Sequence, residues 1–328
     1  MNEITVNAIG EQGLLGKLQA FCPPEVIGDD GAAIATPPGE LIVTTDMLID
    51  GVHFSDRTTP PEAVGWRAAA ANLSDLAAMG ATALGITVGL SLPGETPLSW
   101  VEQLYQGLQD CLQQYDAVIL GGDVTRAPLR AISITALGHV AAEQIIWRRS
   151  AQPGDAILVS GYHGASRGGL ELLLHPEQGQ DLTETERHYL QQAHQRPRPR
   201  LDLISSLRSQ VEPFRVAGMD SSDGLADAVL QICRASGVGA ELAAAAIPLP
   251  EALQKLAGPA ALEWALYGGE DFELVLCLPP ERAAELVSQW GAGAAIVGRI
   301  VSGDRVELLQ GTTRRTLSLE AGFQHFSA

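Results

Sequence analysis

One helix constrains this chain more than any other feature. From Arg67 to Gly80 the only polar residues are Asn72, Ser74 and Asp75, set among alanines, leucines and a methionine. A helix apolar on nearly every side has to be buried among other elements. Thr59, Pro60 and Glu62 supply an N-cap, a first-turn proline and a capping-box partner, so the helix is predicted over 60–79. Asn72 and Asp75, spaced i, i+3, share a face. A carboxylate there needs a cation, a hydrogen-bond network or a raised pKa. A helix-packing network and a metal site both satisfy that need.

That helix carries one of six segments that set carboxylates beside glycine, serine or threonine. The others are Gly28-Asp29-Asp30-Gly31, Thr44-Thr45-Asp46 running on to Asp50-Gly51, and Gly121-Gly122-Asp123. Asp220-Ser221-Ser222-Asp223-Gly224 and Gly268-Gly269-Glu270-Asp271 complete the set. Taken singly, each is an ordinary turn. Gathered, they repel: two carboxylates ~4 Å apart cost about 4 kcal/mol at an effective dielectric near 20. Lys17 and Lys255 are the only lysines, with Arg126 and Arg148 among the arginines available as counter-charges. The donors are carboxylate, hydroxyl and backbone oxygen, a hard set that selects magnesium, manganese or calcium over zinc. Ser222 and Asp223 at a helix start also make a natural anion site, and Gly121-Gly122 follows the apolar run 117–120 where backbone can approach a phosphate.

Composition limits the class further. At 328 residues, 46% hydrophobic and 18% charged, the chain has room for two domains with cores. A formal net charge of -18 argues against nonspecific binding to nucleic acid or anionic membrane. Cys22, Cys111, Cys233 and Cys277 lie far apart, as reduced cytoplasmic thiols do. With no secretory signal and no apolar stretch near the ~20 residues that span a bilayer, a soluble cytoplasmic protein is expected.

The pattern predicts a strand over 41–46 with Asp46 at its end, then strands at 83–91, 116–120 and 130–140 and a helix over 98–114. Gln152-Pro153-Gly154-Asp155 is a turn, and the domain boundary is placed just before it, between 150 and 151. Beyond it a strand at 156–160, helices near 165–175, 184–194 and 200–210, and a short strand ending at Asp220 are expected. The next helix stops at Gly237, and later strands cover 272–278, 294–300, 305–309 and 314–319. Several familiar nucleotide signatures are missing: there is no Gly-x-x-x-x-Gly-Lys-Ser/Thr loop and no protein-kinase motif set. Gly161-Tyr162-His163-Gly164 and Gly168-Gly169 lack a dinucleotide fingerprint.

The motifs in their order resemble the thiamine-monophosphate kinase family. Thr44 to Phe54, Asn72-Leu73-Ser74-Asp75-Leu76-Ala77-Ala78-Met79-Gly80-Ala81 and Gly121 to Arg126 carry the likeness in the first half. Asp220 to Leu225, Gly268-Gly269-Glu270-Asp271 and Gly322-Phe323-Gln324-His325-Phe326 carry it in the second. The resemblance implies an α+β fold of two α/β-type domains, mixed sheets flanked by helices, in a PurM-like architecture. Residues 1–150 would form an N-terminal ATP- and magnesium-binding domain that dimerises, and 151–328 a C-terminal domain completing the active site.

The implied reaction is ATP plus thiamine monophosphate giving ADP plus thiamine diphosphate. Implied magnesium ligands are Asp30, Thr44, Thr45, Asp46, Asp75, Asp123, Asp220 and Asp223. Implied ATP contacts are Tyr105, Gly122, Asp123, Arg148 and Ser222, and implied substrate contacts are His53, Glu270 and Phe323. Several Mg2+ ions and ATP as co-substrate follow, with a monovalent cation left open. The acceptor is a phosphate whose second pKa is ~6, so no general base is expected and direct in-line attack suffices. Val124 stands where the family has threonine. The competing readings are another ATP-dependent enzyme of the same superfamily and a nucleotide-binding scaffold without catalysis.

Overall fold

Strand alternation builds the first half of the chain around one sheet. The structure, a computed structural model, describes residues 3–27 and 30–322. β1 (Glu40–Ile49), β2 (Thr82–Leu92), β3 (Val118–Arg126) and β4 (Ala131–Val140) form a four-stranded sheet in the order β1-β4-β2-β3. β2 and β3 run parallel, while β4 is antiparallel to both β1 and β2. Ile132, Ile134 and Ala136 of β4 and Ile86, Val88 and Leu90 of β2 are buried on one face. The long helix α2 (Pro61–Ala78) is joined to β1 from that side, through Thr44 and Asp46. Its residues Ala68, Ala69, Ala70, Leu73 and Leu76 have no exposed surface, as its composition requires. α1 (Val6–Leu18) and α3 (Leu98–Gln113) complete the helices of this half.

Two of these strands run further than the sequence pattern predicts. β1 continues through Met47-Leu48-Ile49 because those residues keep pairing, with Ser133, Ile132 and Ala131. Asp46 therefore lies inside a strand, not at its end. β3 carries Gly121-Gly122-Asp123 within the strand, past a register shift opposite Ile86/Thr87. At β1 the opposite face of the sheet is open: Leu41, Val43 and Met47 are 51%, 56% and 53% exposed.

The second half is built on a seven-stranded mixed sheet, order β11-β10-β7-β9-β5-β8-β6. Its strands are β5 (Ala156–Val159), β6 (Ala217–Asp220), β7 (Gly239–Ala243), β8 (Leu274–Leu278), β9 (Ala295–Val301), β10 (Val306–Gln310) and β11 (Thr313–Thr316). Both faces are covered. Ile157, Val159, Val275 and Cys277 point into one core with α7 (Leu225–Ser236). Leu158, Leu274, Leu276 and Leu278 point into another with α6 (Ile204–Gln210) and α10 (Pro280–Trp290). α4 (Ala165–Leu174), α5 (Glu184–Gln195), α8 (Glu251–Ala257) and α9 (Ala261–Tyr267) share a third cluster.

The chain divides into Met1–Leu76 with Ala81–Ala141, and Ala77–Gly80 with Ala142–Ala328. The division thus falls at 141/142, ahead of the 150/151 expected from the Pro153-Gly154 turn. Ile146 explains the difference, because it is fully buried in the same core as Leu158 and Leu276. Its backbone N–H donates to the Met79 carbonyl at 3.2 Å, and Ser236 Oγ donates to the Arg148 carbonyl at 2.8 Å. Among the described residues, no helix is long and apolar enough to cross a membrane.

Candidate active site

In the first unit, the acid motifs of β1 and α2 meet. The Thr44 hydroxyl donates to Asp75 Oδ2 at 2.5 Å, and the Asp46 backbone N–H donates to Asn72 Oδ1 at 3.1 Å. Asn72 in turn donates to the Ala68 carbonyl at 3.0 Å, which holds its amide on the buried helix. Strand geometry sends neighbouring side chains to opposite faces. Thr45 accordingly points away from Thr44, with its Oγ1 at 2.9 Å from Thr135 Oγ1. One ion cannot take both threonine side chains.

Thr135 helps line a cavity of about 640 Å³. Leu15, Leu18, Cys22 and Val26 form an apolar wall; Asp30, Gly121, Gly122, Asp123 and Ser133 form a polar one. Four residues singled out from the sequence, Asp30, Tyr105, Gly122 and Asp123, thus face a single space. Tyr105 packs its ring against Phe21 at 5.6 Å. Burial, with a smaller contribution from Cys22, pushes its phenol pKa upward, so it acts as a neutral group. Gly122 has a steric reason as well: a Cβ there would stand 2.0 Å from the Val88 carbonyl oxygen.

His53 accepts the Ile49 N–H on Nδ1 at 3.0 Å, which leaves Nε2 to carry the proton of the neutral ring. The neighbouring Asp50 meets a counter-charge without any metal. Arg130 donates to it at 2.7 Å and to both Asp56 oxygens at 2.9 Å, while lying 4.9 Å from the Trp100 ring centre.

In the second unit, two motifs distant in sequence are stitched together. The Glu270 N–H donates to the Ser222 carbonyl at 2.7 Å, and Ser221 N–H to the Glu273 carbonyl at 2.8 Å. Asp220 ends β6 as expected and is 2% exposed; Ser222 Oγ donates to it at 3.4 Å. Asp223 is exposed one residue before Gly224 and the start of α7. Asp227, which the sequence argument missed, stands a turn further on. Burial and the Asp223 charge push its pKa up, against a hydrogen bond from Gln231 and the weaker pull of the Arg148 guanidinium. Arg149 instead stacks on Trp147 at 3.9 Å.

Around Asp271 the backbone is unusual. Glu270 and Phe272 adopt φ of 59° and 52°, a left-handed conformation that costs non-glycine residues about 1 kcal/mol or more. Asp271 turns away from solvent and accepts the Gly164 and Ser166 N–H groups at 2.6 and 2.9 Å, at the start of α4. Burial still pushes it up to about 7. Glu273 was also missed; it pairs with Arg200 at 2.5 Å and with the Ser160 hydroxyl. Its signal was one more acid inside Gly-Gly-Glu-Asp-Phe-Glu. Phe323 lies outside the described residues. Among the described residues, no three His, Cys, Asp or Glu side chains stand together as a ready metal cage.

Two family models match in chain order: AIR synthase related protein, N-terminal domain, over residues 28–140, and its C-terminal domain over 152–310. Fold and site therefore define a two-domain protein of the AIR synthase related class. A thiamine-monophosphate kinase of Synechococcus elongatus is 53% identical over 333 residues, covering 100% of this chain and 99% of that one. Among solved structures, a thiamine-monophosphate kinase from Stenotrophomonas maltophilia K279a matches with TM-score 0.79 and 34% identity, covering 90% of this chain and 95% of that one. AaThiL complexed with AMPPCP and TMP matches with TM-score 0.73 and 32% identity, covering 94% and 96%. The chain belongs to the thiamine-monophosphate kinase family.

Proposed function

We propose that this chain transfers the terminal phosphoryl group of ATP to the phosphate of thiamine monophosphate, yielding thiamine diphosphate and ADP. One observation carries the reading: similarity over 94% of the chain to AaThiL complexed with AMPPCP and TMP. The first-unit cavity supports it. At about 640 Å³ it lies within the usual ~300–1,000 Å³ of small-molecule sites, with an apolar wall for a base and a polar one for phosphates.

The donor set suits Mg2+. Asp30, Thr44, Thr45, Asp46, Asp75 and Asp123 in the first unit, and Asp220 and Asp223 in the second, offer hard oxygen alone. Mg2+ keeps several waters and binds one or two carboxylates together with substrate phosphates. Bound there, the ions would screen the repulsion between two phosphates and favour their in-line alignment. A monovalent cation is assigned no residue.

The remaining roles fall to this chain's own groups. Tyr105 gives the nucleotide an apolar ring edge; Gly122, Ser222 and the Arg148 guanidinium meet its phosphates. His53 offers an Nε2–H donor to the substrate, and the Glu270 carboxylate balances its cationic ring. Phe323 would add an aromatic contact. The acceptor phosphate is already ionised, so the transfer needs no general base and passes through no phospho-enzyme. The open apolar face of β1 supports a homodimer, and four cysteines far apart in sequence suit the cytoplasm.

The test is direct: purified protein with ATP, Mg2+ and thiamine monophosphate, and thiamine diphosphate as readout. Nucleotide binding without product would replace the kinase by a nucleotide-binding scaffold. Turnover of ATP with a different acceptor would move the chain to another activity of its superfamily.

A further inference from the structure

The glycine pair Gly168-Gly169 has a mechanical role that leads to an unassigned residue. A Cβ at Gly169 would stand 2.0 Å from the Leu190 carbonyl oxygen and 2.9 Å from His194 Cβ. Only glycine lets α5 come this close to α4. The close approach places His194, whose side chain is 3% exposed, against the first turn of α4. Its Nδ1 lies 3.2 Å from Ser166 Oγ and 3.7 Å from Glu270 Oε2. The Glu270 side chain is 34% exposed, so its carboxylate has one flank on the imidazole and another toward solvent. Its backbone is fixed as well, at φ 59° with its N–H on the Ser222 carbonyl.

We propose that His194 is a positioning residue: its Nδ1 edge holds the Glu270 carboxylate in the orientation that receives the cationic ring of the substrate. The inference rests on the assignment of Glu270 to thiamine monophosphate. A carboxylate fixed in place before binding loses less side-chain freedom when the cation arrives, which raises affinity without touching the transferring phosphates. In that role Nδ1 carries the ring proton, with Ser166 Oγ as the nearer acceptor at 3.2 Å and the carboxylate held electrostatically at 3.7 Å. Ser166 is itself tied through its N–H to Asp271, so both acids of the motif are oriented from α4 and α5.

The experiment is steady-state kinetics on the full chain with His194→Gln, His194→Asn, Glu270→Gln and the His194→Gln/Glu270→Gln double variant. Gln keeps bulk and polarity but places its amide beyond the Nδ1 position, whereas Asn places a donor near it. His194→Gln should raise KM for thiamine monophosphate about 5- to 10-fold, up to roughly 1.4 kcal/mol of binding. KM for ATP and kcat should stay within about twofold, and His194→Asn should restore most of the loss. In the double variant the His194 effect should vanish, because its target is gone. Equal losses for both substrates, additive losses in the double variant, or no rescue by Asn would overturn the proposal. A large effect of Glu270→Gln with none from His194→Gln would overturn it while leaving Glu270 assigned. No effect of Glu270→Gln would instead remove the assignment itself.

Discussion

Thr44 Oγ1 and Asp75 Oδ2 stand 2.5 Å apart, and this hydrogen bond joins the centre of β1 to the one acidic position on the buried face of α2. Asp75 is half-buried on a helix whose neighbours Leu73, Ser74 and Leu76 have no exposed surface. Asp75→Asn keeps size and hydrogen-bonding capacity but removes the charge. It is expected to lower kcat by about 100-fold or more, the scale of losing ~2.7 kcal/mol of transition-state stabilisation. Thermal melting should shift by no more than a few degrees. Activity measured across a Mg2+ titration checks the assignment, and near-normal turnover would remove Asp75 from the metal ligands.

Gly121 and Gly122 are adjacent but differ in what they tolerate. At Gly122 a Cβ would collide with the Val88 carbonyl, whereas nothing lies within 4 Å of one at Gly121. Gly121 has instead a φ of 155°, at the margin of the region that favours glycine. Gly122→Ala must part β2 from β3 and is expected to destabilise by about 3 kcal/mol or more, beyond ordinary overpacking. Gly121→Ala should cost about 1 kcal/mol. Urea unfolding of the two variants tests the ranking; a reversed order would mean that the ladder at Val88 is not held as described.

Two buried groups tie stability to pH in opposite directions. Burial holds His163 down at about 4, below the ~6.5 of an unfolded histidine. As pH falls from ~6.5 toward 4, the unfolded chain binds a proton that the folded one refuses, so stability is lost. Burial pushes Asp271 up to about 7, aided by the charges of Glu273 and Glu270 and opposed by its two N–H donors. As pH rises from ~4 to 7 the folded state holds a proton that the unfolded one has released, so this contribution also falls, now with rising pH. Each gives a limiting slope of about 1.4 kcal/mol per pH unit. Relative to the parent protein, Asp271→Asn should make stability climb more steeply from pH 4 to 7. His163→Phe should make it decline more steeply from pH 4 to 6.5. Urea midpoints across that range decide it, and parallel curves for all three proteins would refute both assignments.

Part of the element order was legible where apolar strands alternate with capped or glycine-terminated helices, as in the helix that stops at Gly237, but α1, β7, α8, α9 and α10 went unread. Strand lengths were less so. Asp46 looked terminal because a polar residue usually ends an apolar run, yet β4 pairs with β1 for three residues more. Which acids need a cation was hardest to see. Asp50 is neutralised by Arg130, 80 residues away, and Glu273 by Arg200, 73 residues away. No local spacing encodes such pairings. Asp271, which looked like a turn acid, is satisfied by the start of α4. The motif acids without so evident a structural partner, such as Asp30 and Asp123, are the ones that face the cavity.

The open face of β1 yields the last expectation. β1 is an edge strand, and Leu41, Val43 and Met47 project from it on the side opposite α2, each more than half exposed. Unprotected edges bearing exposed apolar residues invite pairing with another chain unless charge or proline blocks them. On the face that bears them neither does, and Thr45 supplies its only polar side chain between Leu41 and Met47. A second copy of this chain is the proposed occupant. Val43→Asp would place a charge in the centre of that contact and should convert a dimer into a monomer by light scattering at micromolar concentration. The Thr44–Asp75 side of the strand faces α2 and should be undisturbed, so the monomer should remain folded by circular dichroism. A parent protein that is already monomeric, or a Val43→Asp variant that still dimerises, would place the oligomeric contact elsewhere or remove it.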